Sequence, residues 1–304
     1  MTNKKSVMKS LSVLLILLIL MLLMPACAKP APTGPQSVTV NGVKINYVEQ
    51  GSGDEAIVFV HGYSGALGNW KYVLERLPKE YHAYALDLRG FGQSEKPGSY
   101  QLTEIVEDIY AFSRELGIGR FTYVGHSMGG TLGLKFALDH PDVLKASVLV
   151  GHFPVHEWMT PDIQAPILAM TGADDYPSAM KKMFRSPEMI RGNVGQMFPT
   201  PPSEELMNEL VNDGMATDLA AIGDCFAWML SSGLEPRLGD IRVPTLIVAG
   251  AKDMTPVDAV RRDASGIKGC RFEVFEESGH ILPIESPQKF VDLLTSFIKD
   301  VSKG

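Results

Sequence analysis

The stretch Phe-Thr-Tyr-Val-Gly-His-Ser-Met-Gly-Gly, residues 121–130, decides the fold. Its first four residues are typical of a buried strand, and a helical pattern follows from Met128. Between the two lies the motif G-x-S-x-G, centred on Ser127. A serine on a sharp strand-to-helix turn has a strained backbone, and side chains at Gly125 or Gly129 would collide with the turn. The stretch therefore predicts a serine nucleophile at the carboxyl end of a strand.

Strand and helix patterns alternate on both sides of this stretch. Strand patterns occur at residues 43–49, 56–60, 82–86, 146–150, 245–249 and 271–275, and the run at 56–60 is apolar throughout, as expected of a strand buried on both faces. Helical patterns lie between and after them, at residues 69–77, 103–116, 128–139 and 287–299. We expect Thr103 to cap the second of these helices. The alternation predicts an α/β protein with a doubly wound, mostly parallel sheet.

Residues 151–235 break the alternation. They hold nine of the 15 methionines and many prolines, and they contain helix-like stretches with one strand-like run. We interpret them as a mainly helical cap inserted into a core formed by residues 38–150 and 236–304. Large apolar residues of this insertion either line an adaptable pocket or form the cap's own core: Met159, Met180, Met183, Phe184, Met197, Phe198, Trp228 and Met229.

The predicted nucleophile needs a base, and the chain has seven histidines. His280 follows the strand at 271–275 and precedes the closing helix, and ligands of an open α/β sheet bind at the carboxyl ends of its strands. The side chain of His126 should point away across the turn, and His61 should shape a loop. The remaining four have no motif context: His82, His140, His152 and His156. His280 is therefore the predicted base.

The base needs a carboxylate to orient it, and two aspartates compete. Asp253 follows the strand at 245–249 and precedes His280 by 27 residues, which leaves room for one helix and one strand. Asp175 follows a similar pattern at 165–175, with the same spacing from proline to aspartate. If Asp175 were the acid, the predicted strand at 245–249 would have no position in the sheet, so we prefer Asp253. The oxyanion of an acyl intermediate also needs donors, which we assign to the backbone N–H groups of Met128 and Tyr63.

These segments, together with Asp-Leu-Arg-Gly-Phe-Gly-Gln-Ser at residues 87–94, resemble the α/β-hydrolase family. The resemblance covers residues 38–150 and 236–301. It implies an eight-stranded sheet, a cap between strands six and seven, no cofactor, and structural roles for Asp87 and Arg89. Family members with an aspartate nucleophile are disfavoured because position 127 is serine. Carbon–carbon bond hydrolases are disfavoured because Tyr-Ser-Gly replaces their Gly-Pro-Gly, whereas lactonases, methyl esterases and cofactor-free perhydrolases share these features.

The N-terminus has the pattern of an export signal. Three lysines precede an apolar run at residues 11–24, which at ~1.5 Å per residue spans roughly 21 Å, less than the ~30 Å hydrocarbon core of a bilayer. The sequence Leu-Met-Pro-Ala-Cys, ending at Cys27, resembles a bacterial lipobox. We therefore expect a lipoprotein signal peptide at 1–26, lipid on Cys27, a proline-rich tether at 27–37 and a location in the bacterial cell envelope. A secreted protein cleaved near Ala28 and an uncleaved anchor are the alternatives.

The formal net charge of −7 argues against nucleic acid or an anionic membrane as a partner of the folded domain. Cys225 and Cys270 could pair or remain free thiols. We expect no metal or cofactor, and the sequence does not predict an oligomeric state. The expected function is hydrolysis of carboxylic esters or lactones of a small to medium hydrophobic substrate through an acyl-enzyme. An acyltransferase or perhydrolase using the same residues, and a non-enzymatic binding lipoprotein, are the alternatives.

Overall fold

A computed structural model gives the fold of residues 34–152, 154 and 159–303. These residues belong to one compact unit, Thr33–Gly304. The predicted signal peptide, the lipidation site at Cys27 and most of the predicted tether lie outside the described residues. Within the described part of the chain, no helix is long and apolar enough to cross a membrane.

One eight-stranded sheet forms the centre of the unit, in the order β1-β2-β4-β3-β5-β6-β7-β8. The strands are β1 Gln36–Val40, β2 Val43–Gln50, β3 Glu55–Val60, β4 Tyr81–Leu86, β5 Phe121–His126, β6 Leu144–Val150, β7 Thr245–Gly250 and β8 Arg271–Phe275. The first two strands and the β2–β4 pair are antiparallel, and all other pairs are parallel. The predicted doubly wound, mostly parallel sheet is confirmed.

The first strand begins at Gln36 and so includes the last two residues of the predicted tether. Val38 pairs with Ile45, and Val40 with Val43, in an antiparallel hairpin. The sequence did not predict this strand for two reasons. Only two apolar residues alternate in it, and the prolines just upstream give the segment a composition typical of a linker.

Helices cover both faces of the sheet and form the segment between β6 and β7. They are α1 Lys71–Leu74, α2 Leu102–Glu115, α3 Met128–Asp139, α4 Pro161–Thr171, α5 Tyr176–Met183, α6 Pro187–Gln196, α7 Glu204–Ala216, α8 Leu219–Ser231, α9 Val257–Gly266, α10 Leu282–Glu285 and α11 Pro287–Val301. Helix α2 begins one residue earlier than predicted, because Gln101 rather than Thr103 is its N-cap and donates its N–H to Glu104. The predicted helix at 69–77 is shorter: a 3₁₀ turn at Leu67–Trp70 leads into α1.

Strand β3 shows why the central strands read as unbroken apolar runs. Val58 and Val60 pack into the cluster beneath α2 and α3, whereas Ile57 and Phe59 pack on the opposite face with α1 and α11. Alternate side chains of a strand point to opposite faces, so a strand buried on both faces is apolar at every position.

Helices α4 to α8 lie between β6 and β7. The strand-like run at 165–171 is part of helix α4. Pro161 opens this helix at its first turn, and Gly172 ends it in a left-handed conformation at φ 59°. Cys225 lies buried in α8 and Cys270 is half-buried before β8, and both are free thiols.

Candidate active site

Ser127 lies on the turn between β5 and α3, with φ 52° and ψ −113°. For a residue other than glycine this backbone conformation costs about 1–3 kcal/mol. A Cβ on Gly125 would lie 2.1 Å from the Gly129 carbonyl oxygen, and one on Gly129 would lie 2.5 Å from that of Val60. The two glycines of the motif are therefore required by close backbone contacts, as the sequence predicted.

The predicted nucleophile, base and acid form one chain of hydrogen bonds. His280 Nε2 lies 2.9 Å from Ser127 Oγ, and His280 Nδ1 lies 2.9 Å from Asp253 Oδ2. Ser127 and His280 are 7% and 4% exposed. Asp253 Oδ1 accepts the N–H of Thr255 at 2.8 Å. Asp175 lies apart from this group, because it is the N-cap of α5 and accepts the N–H of Ser178.

The main chain around His280 is fixed on several sides. The Glu285 carboxylate accepts the N–H of Gly279 at 2.8 Å and that of Ile281 at 2.9 Å. The N–H of His280 itself donates to the Met197 carbonyl of the cap at 2.8 Å. Sequence reasoning missed Glu285 and Met197. The available signal for Glu285 was an acidic residue five positions after His280, at the end of a short helix. No signal in the sequence indicated the contact with Met197.

The expectation that His126 points away from the site is wrong. Its Nε2 lies 2.9 Å from the His280 carbonyl oxygen, and the two imidazole rings are 5.2 Å apart. Burial, together with the neighbouring His280, lowers the pKa of His126 to about 3, so the ring is neutral. A Cβ on Gly62 would lie 2.8 Å from His126 Nδ1, so the missing side chain at Gly62 makes room for this ring.

The environment of His280 favours its protonated form. Burial acts to lower the pKa of His280, but the charge of Asp253 and the hydrogen bond to it, with a smaller contribution from Glu285, outweigh burial. The pKa of His280 is therefore raised above the ordinary value of 6.5. A raised pKa makes the imidazole a stronger base, so it takes up the Ser127 proton more readily.

Two backbone N–H groups are available beside Ser127. Met128 is the first residue of α3, where helix N–H groups have no partner within the helix. In the described part of the chain, the N–H groups of Met128 and Tyr63 donate to no protein acceptor. The loop that carries Tyr63 lies close to the nucleophile, since a Cβ on Gly62 would be 3.1 Å from Ser127 Cβ. Both predicted oxyanion donors are thus free for a ligand.

Asp87 holds the loop that carries Tyr63. Its carboxylate accepts the N–H of Leu67 at 2.7 Å, the N–H of Gln93 at 2.9 Å and the side-chain amide of Asn46 at 2.8 Å. The imidazole of His61 accepts the N–H of Leu88 at 3.0 Å. These contacts agree with the loop-shaping roles expected for Asp87 and His61.

Arg89 forms a two-pronged ion pair with Asp108 of α2, at 2.6 and 2.8 Å. The pair fastens the segment after β4 to the core, which agrees with the structural role that the family resemblance implies for Arg89.

The side chain of Tyr63 connects this loop to the cap. Its hydroxyl donates to the Ile222 carbonyl of α8 at 2.8 Å. Its ring makes edge contacts with Phe184 and Phe226, at centroid distances of 5.5 and 5.4 Å. Sequence reasoning required only the backbone at this position, so the side chain's role was not predicted.

We expect Tyr63→Phe to lower kcat by roughly tenfold with little change in KM, because loosening the loop weakens an N–H contact made in the transition state. Steady-state kinetics on an ester measures both constants. Tyr47→Phe is the matched control, since Tyr47 is also buried, donates its hydroxyl to Gln36 and makes an edge contact with Phe112, but lies in β2 and does not line the cavity. Equal losses in both variants, or a change in KM alone, would contradict a positioning role for Tyr63.

A cavity of about 260 Å³ lies over Ser127, between the core and the cap. Four of the eight predicted pocket residues line it: Met159, Met180, Met197 and Met229. Phe184 instead packs inside the cap, and Trp228 donates its indole N–H to the Tyr100 carbonyl. No aspartate, glutamate, lysine or arginine is among the described residues that line the cavity. The described residues also contain no group of three or more metal-binding side chains.

Comparison with known proteins supports the fold. Residues 55–192 match the family model described as alpha/beta hydrolase fold. A putative carbamate hydrolase (RutD) of Caulobacter vibrioides is 27% identical over 82% of this chain and 91% of its own length. The esterase EaEST from Exiguobacterium antarcticum is 28% identical, with a TM-score of 0.74 over 88% of this chain and 100% of its own.

A third similar structure is a membrane phospholipase A, described as a bacterial virulence factor. It is 25% identical, with a TM-score of 0.75 over 99% of this chain and 100% of its own. The sheet order, the inserted cap, the matching family model and these relatives lead to the same assignment. The chain has the α/β-hydrolase fold.

Proposed function

We propose that this hydrolase is a serine esterase that cleaves uncharged, hydrophobic esters through an acyl-enzyme on Ser127. The observation that carries the proposal is the hydrogen-bonded chain from Ser127 through His280 to Asp253, which opens into an apolar cavity. A hydroxyl next to an imidazole that a buried carboxylate orients is suited to nucleophilic attack.

In the first step, Ser127 Oγ attacks the ester carbonyl carbon while His280 Nε2 takes the Oγ proton. The N–H groups of Tyr63 and Met128 stabilise the resulting oxyanion. His280 then gives its proton to the leaving alcohol oxygen as the carbon–oxygen bond breaks.

In the second step, His280 deprotonates a water molecule that attacks the acyl carbon. The bond to Oγ breaks, the acid is released and the proton returns to Ser127. Asp253 holds the imidazole with its proton on Nδ1 and stabilises the cation that forms in both steps.

The lining of the cavity supports a neutral substrate. A substrate carboxylate would lose its hydration there without gaining a cationic partner, which is unfavourable. Apart from the imidazoles, the polar side chains of the lining are hydroxyls and amides, the amides being those of Asn69, Asn193 and Gln196. The relatives named above act on different acyl compounds, so carbamates and phospholipid esters are further substrates to compare.

A panel of esters tests the proposal. Neutral esters of increasing acyl length should be hydrolysed, whereas matched esters with a terminal carboxylate on the acyl chain should be poor substrates. Parallel reactions with an added alcohol or with hydrogen peroxide measure acyl transfer. Transfer that dominates over hydrolysis would favour the acyltransferase or perhydrolase alternative, and no turnover of any compound would favour a binding protein.

We also propose that the protein is exported and anchored through lipid on Cys27. The basic N-terminus, the apolar run and the lipobox-like sequence support this. Mass spectrometry of the N-terminal peptide from the membrane fraction tests it. A peptide that starts at lipid-modified Cys27 is expected, and an unmodified or uncleaved N-terminus would contradict the proposal.

A further inference from the structure

Helix α4 of the cap presents an apolar stripe to solvent. Ile163, Pro166, Ile167 and Met170 recur at the spacing i, i+3, i+4, i+7 and so lie on one face. Three large apolar side chains are exposed among the described residues, and two of them belong to this stripe: Ile163 is 37% and Met170 59% exposed. The third, Met215, lies in α7.

No residue of α4 is buried, although the helix is largely apolar. Asp162 is its only charged side chain, and the alanines at 165 and 169 are also exposed. An exposed helix of a soluble protein usually carries charged residues on its outer face. A contiguous exposed apolar patch instead marks a surface that contacts a partner or a membrane.

The stripe leads into the proposed active site. Ile163 and Ile167 line the cavity over Ser127, whereas Met170 lies one turn further along the same face and is not part of the lining. A hydrophobic molecule bound against α4 would therefore be in contact with the cavity wall.

We propose that the α4 stripe docks on the surface of a lipid bilayer, so that substrate dissolved in the bilayer reaches the cavity directly. The proposal rests on the esterase function proposed above. The sequence before the described residues indicates that the partner of the stripe is a membrane. It contains the apolar run at 11–24 and ends a few residues before β1. Residues 28–35 can span at most about 27 Å when extended, so an anchored domain would stay beside the membrane.

The composition of α4 specifies the kind of surface. Binding at the boundary between headgroups and acyl chains strengthens with the apolar area that is buried there, so the exposed apolar side chains of α4 are the groups that would enter it. With no cationic side chain on the helix, anionic lipid offers no additional attraction. Binding of the stripe should therefore occur on zwitterionic phosphatidylcholine and should depend little on salt.

The test uses the full chain, recovered with phosphatidylcholine vesicles by flotation, and two esters. One ester is short and water-soluble, and the other has long acyl chains and is dissolved in the bilayer. Met170→Glu should lower hydrolysis of the bilayer-dissolved ester by about tenfold or more, because a carboxylate must lose water at the membrane surface. It should leave hydrolysis of the soluble ester unchanged. Met215→Glu, the matched control in α7, should change neither rate.

A second measurement decides the docking without any turnover. A nitroxide attached at Met170→Cys should collide more with oxygen, which concentrates in lipid, than with a water-soluble nickel chelate. The same label at Met215→Cys should show the opposite preference, and the labelled parent chain measures the background from its own cysteines.

Three results would overturn the docking. The first is that the chain does not float with vesicles. The second is that the nickel chelate reaches the label at 170 as readily as the label at 215. The third is that, without vesicles, the label at 170 is shielded from both oxygen and the nickel chelate. The last result would indicate a second copy of the chain as the partner. If the label reports lipid but neither ester is hydrolysed, the docking stands and the proposed esterase function fails.

Discussion

Ser127→Ala should lower kcat for ester hydrolysis by a factor of roughly 10⁴–10⁶, since the variant has no group to form the acyl-enzyme. The fold should persist, because the Ser127 hydroxyl bonds only to His280 among the described contacts of its side chain. Alanine keeps the strained backbone, so the free energy of unfolding should change by about 1 kcal/mol or less. Turnover of a chromogenic ester and thermal unfolding of the same sample measure the two quantities.

Ser147→Ala is the matched control for Ser127→Ala. Ser147 is buried in β6, and its hydroxyl has no partner among the described residues. Removing this hydroxyl should leave kcat unchanged. Ester hydrolysis that persists in Ser127→Ala at more than about one hundredth of the normal rate would reject Ser127 as nucleophile.

Asp253→Asn should lower kcat by about 10⁴-fold, because an asparagine amide facing Nδ1 favours the wrong imidazole tautomer. The same substitution should also move the pH dependence. The base must be neutral, so activity of the unchanged protein rises with pH through the raised pKa of His280, above 6.5. Without the carboxylate, burial is left as the main influence and lowers that pKa. The acid limb of kcat/KM should therefore shift to lower pH while the plateau falls.

Asp175→Asn is the control for this prediction, because Asp175 follows the competing sequence pattern. It caps α5 through Ser178 and touches no residue of the hydrogen-bonded chain. We expect a normal plateau and a normal acid limb. A loss of activity in Asp175→Asn like that in Asp253→Asn, or an acid limb that stays in place in Asp253→Asn, would contradict the assignment of the acid.

The core of the site could be predicted from sequence because its determinants are local. The glycines around Ser127 are required by contacts within a few residues and the adjacent strand. His280 and Asp253 each follow a recognisable strand, and parallel strands bring their carboxyl ends to one edge of the sheet. Three short sequence patterns were therefore enough to predict that the side chains of Ser127, Asp253 and His280 meet, although the first and last are more than 150 residues apart.

The cap and its contacts could not be predicted in this way. The bond from Tyr63 to Ile222, and that from His280 to Met197, join segments whose relative position no local pattern determines. Helix α4 looked like a strand because a short apolar run has no period that separates a strand from a buried helix. Only its proline at the first turn and its left-handed glycine at the end indicated a helix.

Ser127 is tested most directly as the nucleophile by reacting the folded protein with a fluorophosphonate and identifying the modified residue by peptide mass spectrometry. A hydroxyl activated by a neighbouring imidazole should react stoichiometrically, so we expect one adduct per chain, located on Ser127 and absent when the protein is unfolded beforehand. An adduct on another residue, or a folded sample that takes up no reagent, would contradict the account.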